Sequence, residues 1–138
     1  MEDHGAPFFL KRKDIAATPT RVMVLRLFLS QRTGLSLANV CDQLYFSDSS
    51  TVFRTLRLFV HKGVLHTVVT PDGERKYTLC QKDCTEKGHL DRHPHFSCQH
   101  CRKLFCLPGH PMPVPYLKDG SQVEDVYLSF GGVCNECK

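Results

Sequence analysis

The sequence predicts an α+β chain in two parts: a helical N-terminal unit closed by a β-hairpin, then a small, zinc-stapled β-rich unit. Three observations predict it. Apolar residues recur at helical spacing as far as about residue 62, and β-branched residues then gather on either side of Pro71-Asp72-Gly73. Cysteine is unevenly spread, with Cys41 alone in residues 1–79 and seven in residues 80–138. Two Cys-x-x-Cys pairs, Cys98/Cys101 and Cys134/Cys137, bracket most of the second part.

Each element has its own signal. Phe8 to Ala16 reads as a short amphipathic helix with Lys11, Arg12 and Lys13 outward. Thr18-Pro19 supplies an N-cap and a first-turn proline for a second helix to about Gln31, apolar nearly all round except for Arg21 and Arg26. Ser36 caps a third helix in which Leu37, Val40, Cys41 and Leu44 make one stripe, so Cys41 reads as a small buried hydrophobe. A fourth helix starts at Ser49-Ser50-Thr51 and ends near Gly63, with Val52, Leu56, Phe59 and Val60 inward and Arg54 and Arg57 outward. Hydroxyls and amides at a helix N-terminus followed by two arginines suit phosphate contact and entry into a DNA groove, though a capped, solvated surface helix has the same composition. The strands Val64–Thr70 and Glu74–Leu79 then change the balance. Helices followed by a hairpin form a winged helix-turn-helix, in which the hairpin flanks the recognition helix.

Charge divides the chain along the same line. Residues 1–79 carry 11 Lys+Arg against 7 Asp+Glu, and residues 80–138 carry 7 against 7. The first part suits a polyanion, although a formal net charge of +4 is modest and the motif geometry matters more. No positive region precedes an apolar core at the N-terminus and no apolar run approaches membrane-spanning length. A cytoplasmic location and no membrane partner are therefore expected. There, cysteines serve as metal ligands more often than as disulfides.

A Cys-x-x-Cys turn lets two thiolates converge on one ion, and two such turns supply the four sulfurs of a closed tetrahedral zinc site. Cys98, Cys101, Cys134 and Cys137 are thus the expected structural zinc ligands. The 32 residues between Cys101 and Cys134 imply that the ion pins the last strand onto the first hairpin, Phe96 to Phe105. That last strand is expected from Val123 to Phe130, turning through Gly131-Gly132, and Leu107 to Pro115 is too proline-rich for a helix. Cys106 is expected to pack beside the four thiolates. His93 and His95 alternate around Pro94, so on an extended segment both imidazoles point to one side, as two ligands of a second ion would. Residues 81–92 are polar and aperiodic and read as a hinge between a DNA-binding unit, 1–80, and a metal-binding dimerisation unit, 93–138.

With these residues in place, the sequence resembles the ferric uptake regulator family of metal-dependent repressors from about residue 8 onward. Thr18-Pro19-x-Arg21, Ser50-Thr51-Val52-Phe53-Arg54, Gly63-Val64-Leu65 and His93-x-His95-x-x-Cys98-x-x-Cys101 with Cys134-x-x-Cys137 carry the resemblance. It implies a homodimer that binds a double-stranded DNA operator, holds a structural zinc, and closes over DNA when a regulatory metal fills a site at the hinge. By the pattern of the zinc-responsive members, that site corresponds to His66, Cys80, His93 and His95. Three imidazoles and one thiolate suit zinc better than iron(II) or manganese. The implied role is a zinc-responsive repressor of metal-uptake genes, and the alternatives are an iron(II)- or peroxide-responsive regulator of the same family or a zinc-ribbon adaptor that binds protein. The expected DNA contacts are Arg21, Ser49, Ser50, Thr51, Phe53, Arg54 and Arg57. Three departures stand out. Phe53 replaces the usual tyrosine, the segment from Cys80 to His93 is long enough for Cys84 or His89 to replace a ligand, and prolines occupy the place of the family's dimerisation helix. No catalytic residues are expected: the His-x-Glu of zinc deaminases and the His-Glu-x-x-His of metalloproteases do not occur.

Overall fold

The computed structural model describes residues 5–31, 33–45, 47–80, 93–107, 109–110, 112–124 and 126–138. The segment 81–92, expected to be a hinge and containing Cys84 and His89, lies outside the described residues.

Four helices come first: α1 (Gly5–Arg12), α2 (Pro19–Ser30), α3 (Leu37–Gln43) and α4 (Ser49–His61). Helix α1 begins and ends earlier than the sequence suggests, because Asp14 adopts a left-handed conformation with φ 60°. The Ile15 amide then bonds Leu10 O at 2.9 Å and the Asp14 amide bonds Lys11 O at 3.0 Å, a Schellman closure that buries Ile15 and Leu10. Thr18 caps α2 by accepting from the Arg21 amide, and Ser36 forms a capping box with Asn39 at the start of α3. Val24, Leu25 and Phe28 of α2 pack against Val52, Leu56 and Phe59 of α4 in a core that Leu10, Val40 and Leu65 complete. Cys41 packs at the border of this core, as its place on the apolar stripe of α3 predicts.

The wing is an antiparallel pair, β1 (Leu65–Val69) and β2 (Arg75–Leu79), with Leu65 opposite Leu79 and His66 opposite Thr78. Leu35 adds a bridge to Tyr77 on the far side of β2, which ties the wing to the loop before α3. The second unit is a sheet of three strands in the order β4-β3-β5: β3 (His95–Cys98), β4 (Leu104–Cys106) and β5 (Ser129–Gly132). Strand β5 starts later than expected, runs parallel to β3 and continues through the two glycines instead of turning at them.

That sheet has two distinct faces. His95, Ser97, Leu104, Cys106, Ser129 and Gly131 share one face by register and alternation, and this face meets the wing. The Ser129 hydroxyl donates to Val69 O at 2.6 Å. A Cβ on Gly131 would stand 3.1 Å from Pro71 Cγ, and one on Gly34 would stand 2.6 Å from Leu104 Cδ2, so at both places the two units approach closely enough that a side chain would force its neighbour to shift. Phe96, Phe105, Phe130 and Cys98 lie on the opposite face.

Candidate metal centres and nucleic-acid interface

The four-cysteine site is assembled by the sheet. The first Cys-x-x-Cys turn closes β3, with the Arg102 amide bonding Cys98 O at 2.9 Å, and the Gln99 amide bonds Gly132 O at 2.7 Å. This last bond fixes the end of β5, and thereby Cys134, beside the turn. Ligand atoms of Cys98, Cys101, Cys134 and Cys137 all lie within 4.8 Å of one another. The Sγ atoms of Cys101 and Cys134 are 3.9 Å apart, against an edge of about 3.8 Å for a tetrahedron with Zn–S near 2.3 Å. Cys98 Sγ accepts the amides of Cys101 and Cys134, each at 3.4 Å. These amides bring its thiol down to about 5, while hydrogen bonding to Cys134 and burial push Cys137 up to about 12. Four thiols this close cannot all ionise without a compensating charge; a divalent cation supplies it, and the donor set fits zinc.

The first turn is also gripped by the wing. Lys76 of β2 is only 4% exposed, and its Nζ donates to Arg102 O at 2.7 Å with Glu74 Oε1 at 3.8 Å. The Arg102 side chain reaches Asp72 Oδ2 at 2.9 Å and Glu74 Oε1 at 3.6 Å. The Thr70 hydroxyl, and after it Arg102, hold the Asp72 carboxyl down to about 2.

A second cluster lies between the units. His66 of β1 and His93 and His95 at the start of β3 bring one ring nitrogen each within 4.8 Å of the others. Ring centroids are 4.6 Å apart for His93 and His95, 5.7 Å for His66 and His93, and 5.6 Å for His66 and His95. His66 Nε2 bonds the Thr78 hydroxyl at 2.7 Å, an arrangement that orients the ring and presents Nδ1 to a metal. His66 Nδ1, His93 Nε2 and His95 Nε2 are all buried. Three convergent buried imidazoles fit a borderline-soft divalent ion. Cys80 is not among the three clustered residues. Its amide bonds Val64 O at 3.0 Å, which prolongs the wing ladder and sets Cys80 on the same face as Thr78 and His66. The register also puts Cys106 opposite His95, away from the thiolate end of β3, where Cys98 meets Lys103. Sequence alone assigned Cys106 to the wrong end, since strand pairing is not visible in spacing. Cys80 and Cys106 line one cavity of about 350 Å³ together with Thr78 and Phe28.

The expected DNA-contacting residues lie along α4 and at the start of α2. Asp48 caps α4, accepting the Thr51 amide at 2.7 Å and the Thr51 hydroxyl at 3.0 Å. These bonds hold its carboxyl below the usual range. Ser49, Ser50, Phe53, Arg54 and Arg57 are exposed. Arg54 donates to the Thr51 hydroxyl at 3.3 Å, and the Arg57 guanidinium sits 5.8 Å from the centre of the Phe53 ring. The cluster therefore presents two ordered arginines beside an exposed aromatic edge. Arg21 donates to Ala16 O at 3.0 Å, which holds its guanidinium at the base of α2.

The sequence profile of the Ferric uptake regulator family matches residues 12–108. The ferric uptake regulation protein of Synechococcus elongatus is 28% identical over 131 residues, covering 88% of this chain and 84% of its own length. A zinc uptake regulator solved in complex with zinc and DNA superposes with a TM-score of 0.68 at 21% identity, covering 97% of this chain and 91% of its own. The Helicobacter pylori ferric uptake regulator, described with three functional metal binding sites, gives 0.61 at 16% identity over 99% of this chain and 94% of its own. A zinc-bound manganese uptake regulator gives 0.63 at 15% identity over 94% and 98%. Uptake regulators named for different metals thus share this fold, and the profile match over most of the chain assigns it to the ferric uptake regulator family of metal-responsive transcription regulators.

Proposed function

We propose that this chain is a zinc-responsive, DNA-binding repressor of metal-uptake genes, acting in the cytoplasm as a homodimer. The observation that carries the reading is the imidazole cluster: His66 belongs to the wing and His93 and His95 to the second unit, so one ion held by all three joins the units. An ion bound only when the units are docked shifts the population toward the docked form by its differential affinity. The clustered set contains no carboxylate, and a thiolate from Cys80 completes it as a site that favours zinc over iron(II) or manganese; Cys106, opposite His95, is the second candidate for that thiolate. Cys98, Cys101, Cys134 and Cys137 hold a structural zinc. In this reading residues 1–80 bind DNA, 81–92 are the hinge and 93–138 hold metal and dimerise. Helix α4 reads the operator through Ser49, Ser50, Thr51, Phe53, Arg54 and Arg57, and Arg21 contacts the backbone. The zinc uptake regulator bound to DNA supports this assignment by its fold.

An anaerobic gel-shift series tests the proposal, using duplexes selected from a random pool by the zinc-loaded protein. Zinc should induce binding at a lower free concentration than iron(II) or manganese(II). Activation by iron(II) first would make the protein an iron sensor, and no duplex binding under any metal would favour the zinc-ribbon adaptor.

A further inference from the structure

The outer face of the β4-β3-β5 sheet is an aromatic row. Phe105, Phe96 and Phe130 are cross-strand partners, and the Phe96 and Phe105 rings are 6.1 Å apart. Phe130 is 46% exposed, and beside the row runs a groove of about 370 Å³ lined by Phe96, Phe105, Leu107 and Val133, with Glu136 its only charged residue. The wing meets the other face; on this one Phe96 and Phe105 are half-buried and Phe130 is exposed.

The same chain also exposes an apolar segment. Met112-Pro113-Val114-Pro115-Tyr116-Leu117 lies between β4 and β5, contains no helix or strand, and leaves Val114 61%, Tyr116 90% and Leu117 38% exposed. Among the described residues that line the groove, none belongs to this segment, the arm. Alternating prolines favour an extended polyproline conformation, which docks on aromatic-lined grooves at little entropic cost.

We infer that the arm of one copy docks on the aromatic face of a second copy, and reciprocally, so that arm exchange forms the homodimer. This rests on the homodimer proposed above and names its surfaces. The area is adequate: with aromatic side chains of about 150–250 Å² each, the exposed parts of Val114, Tyr116, Leu117, Phe130 and Val133 offer roughly 500 Å² of apolar surface per copy. Doubled by a two-fold axis, that reaches about 1,000 Å², the least that a specific interface needs. Each arm–face contact occurs twice, so one substitution per chain removes two contacts.

Sedimentation equilibrium of the zinc-loaded full chain tests this with Phe130→Glu and Tyr116→Glu. Each should raise the dimer dissociation constant by about a hundredfold or more, as buried aromatic anchors do, with helical circular dichroism and zinc content unchanged. Mixing the two variants should restore part of the dimer, because one of its two arm–face contacts is then wild type. A wild-type chain that stays monomeric would overturn the homodimer reading itself. A wild-type dimer with both variants still dimeric would leave that reading standing and overturn these surfaces. Dissociation by Phe130→Glu alone would show that face meets face, and would overturn the exchange of arms.

Discussion

The grip of the wing on the first cysteine turn has two parts of unequal worth, and Lys76→Met separates them. Lys76 is buried, and its ammonium donates to Arg102 O at 2.7 Å across the boundary between the units. A hydrogen bond from a charged donor is worth about 1.5–3 kcal/mol, so its loss should weaken docking by roughly ten- to hundredfold. Methionine keeps the aliphatic stem and removes the desolvated charge, so the wing's own stability should hardly fall and can rise. The Arg102 side chain forms the more conspicuous ion pairs, yet it is 55% exposed and its partner Asp72 49%. Pairs of that kind contribute about 0.2–1 kcal/mol, so Arg102→Ala should weaken docking by less than about fivefold. The assay follows helix loss by circular dichroism and zinc release by a chromogenic chelator during one thermal ramp. In the wild type the two should coincide; in Lys76→Met they should separate, and in Arg102→Ala they should remain together. Separation in Arg102→Ala with coincidence in Lys76→Met would mean that exposed pairing outweighs the buried bond.

Cys137→Ser should release the structural zinc and unfold the β4-β3-β5 sheet, since such zinc contributes folding free energy directly; inductively coupled plasma analysis and circular dichroism check it, and full zinc content would defeat the assignment. Arg54→Ala and Arg57→Ala should each weaken operator binding with zinc content unchanged, and anisotropy titrations at several salt concentrations sort the contacts. A phosphate contact lowers the salt slope by about one, and a base contact costs about 1–3 kcal/mol of discrimination. Cys80→Ser should weaken zinc binding far more than manganese binding in competition titrations. If Cys106→Ser has that effect instead, the thiolate opposite His95 is the ligand.

Much of the fold was legible because local chemistry and long-range structure agree. Thr18-Pro19 and Ser36 open helices where they stand, and the stripe of α4 faces the core. Both cysteine turns meet at one place because each is a closed local unit that only a strand pairing must bring together. What stayed hidden depends on pairings between distant residues. Gly131-Gly132 reads as a turn in isolation, and becomes strand because it pairs with Ser97 and Cys98 of β3, where Pro71 and Phe96 leave little room for a side chain. The Lys76–Arg102 bond joins residues 26 apart, and nothing in the spacing announces that a lysine on an alternating strand is buried. Among site residues, His93 and His95 were visible as an alternating pair, and resemblance alone brought His66 to them. The place of Cys106 required the β3–β4 register.

In the proposed function, an ion at His66, His93 and His95 converts a folded protein into a DNA-binding one. The most direct measurement is a zinc titration of apo-protein in the presence of a fluorescent operator duplex, with bound zinc and anisotropy read from the same cuvette, for wild type and His93→Ala. Wild type should take up two zinc ions per chain, with anisotropy rising only as the second is bound. His93→Ala should take up one, stay folded, and leave the duplex free. A His93→Ala protein that binds one zinc and still shifts the duplex with wild-type affinity would contradict the account.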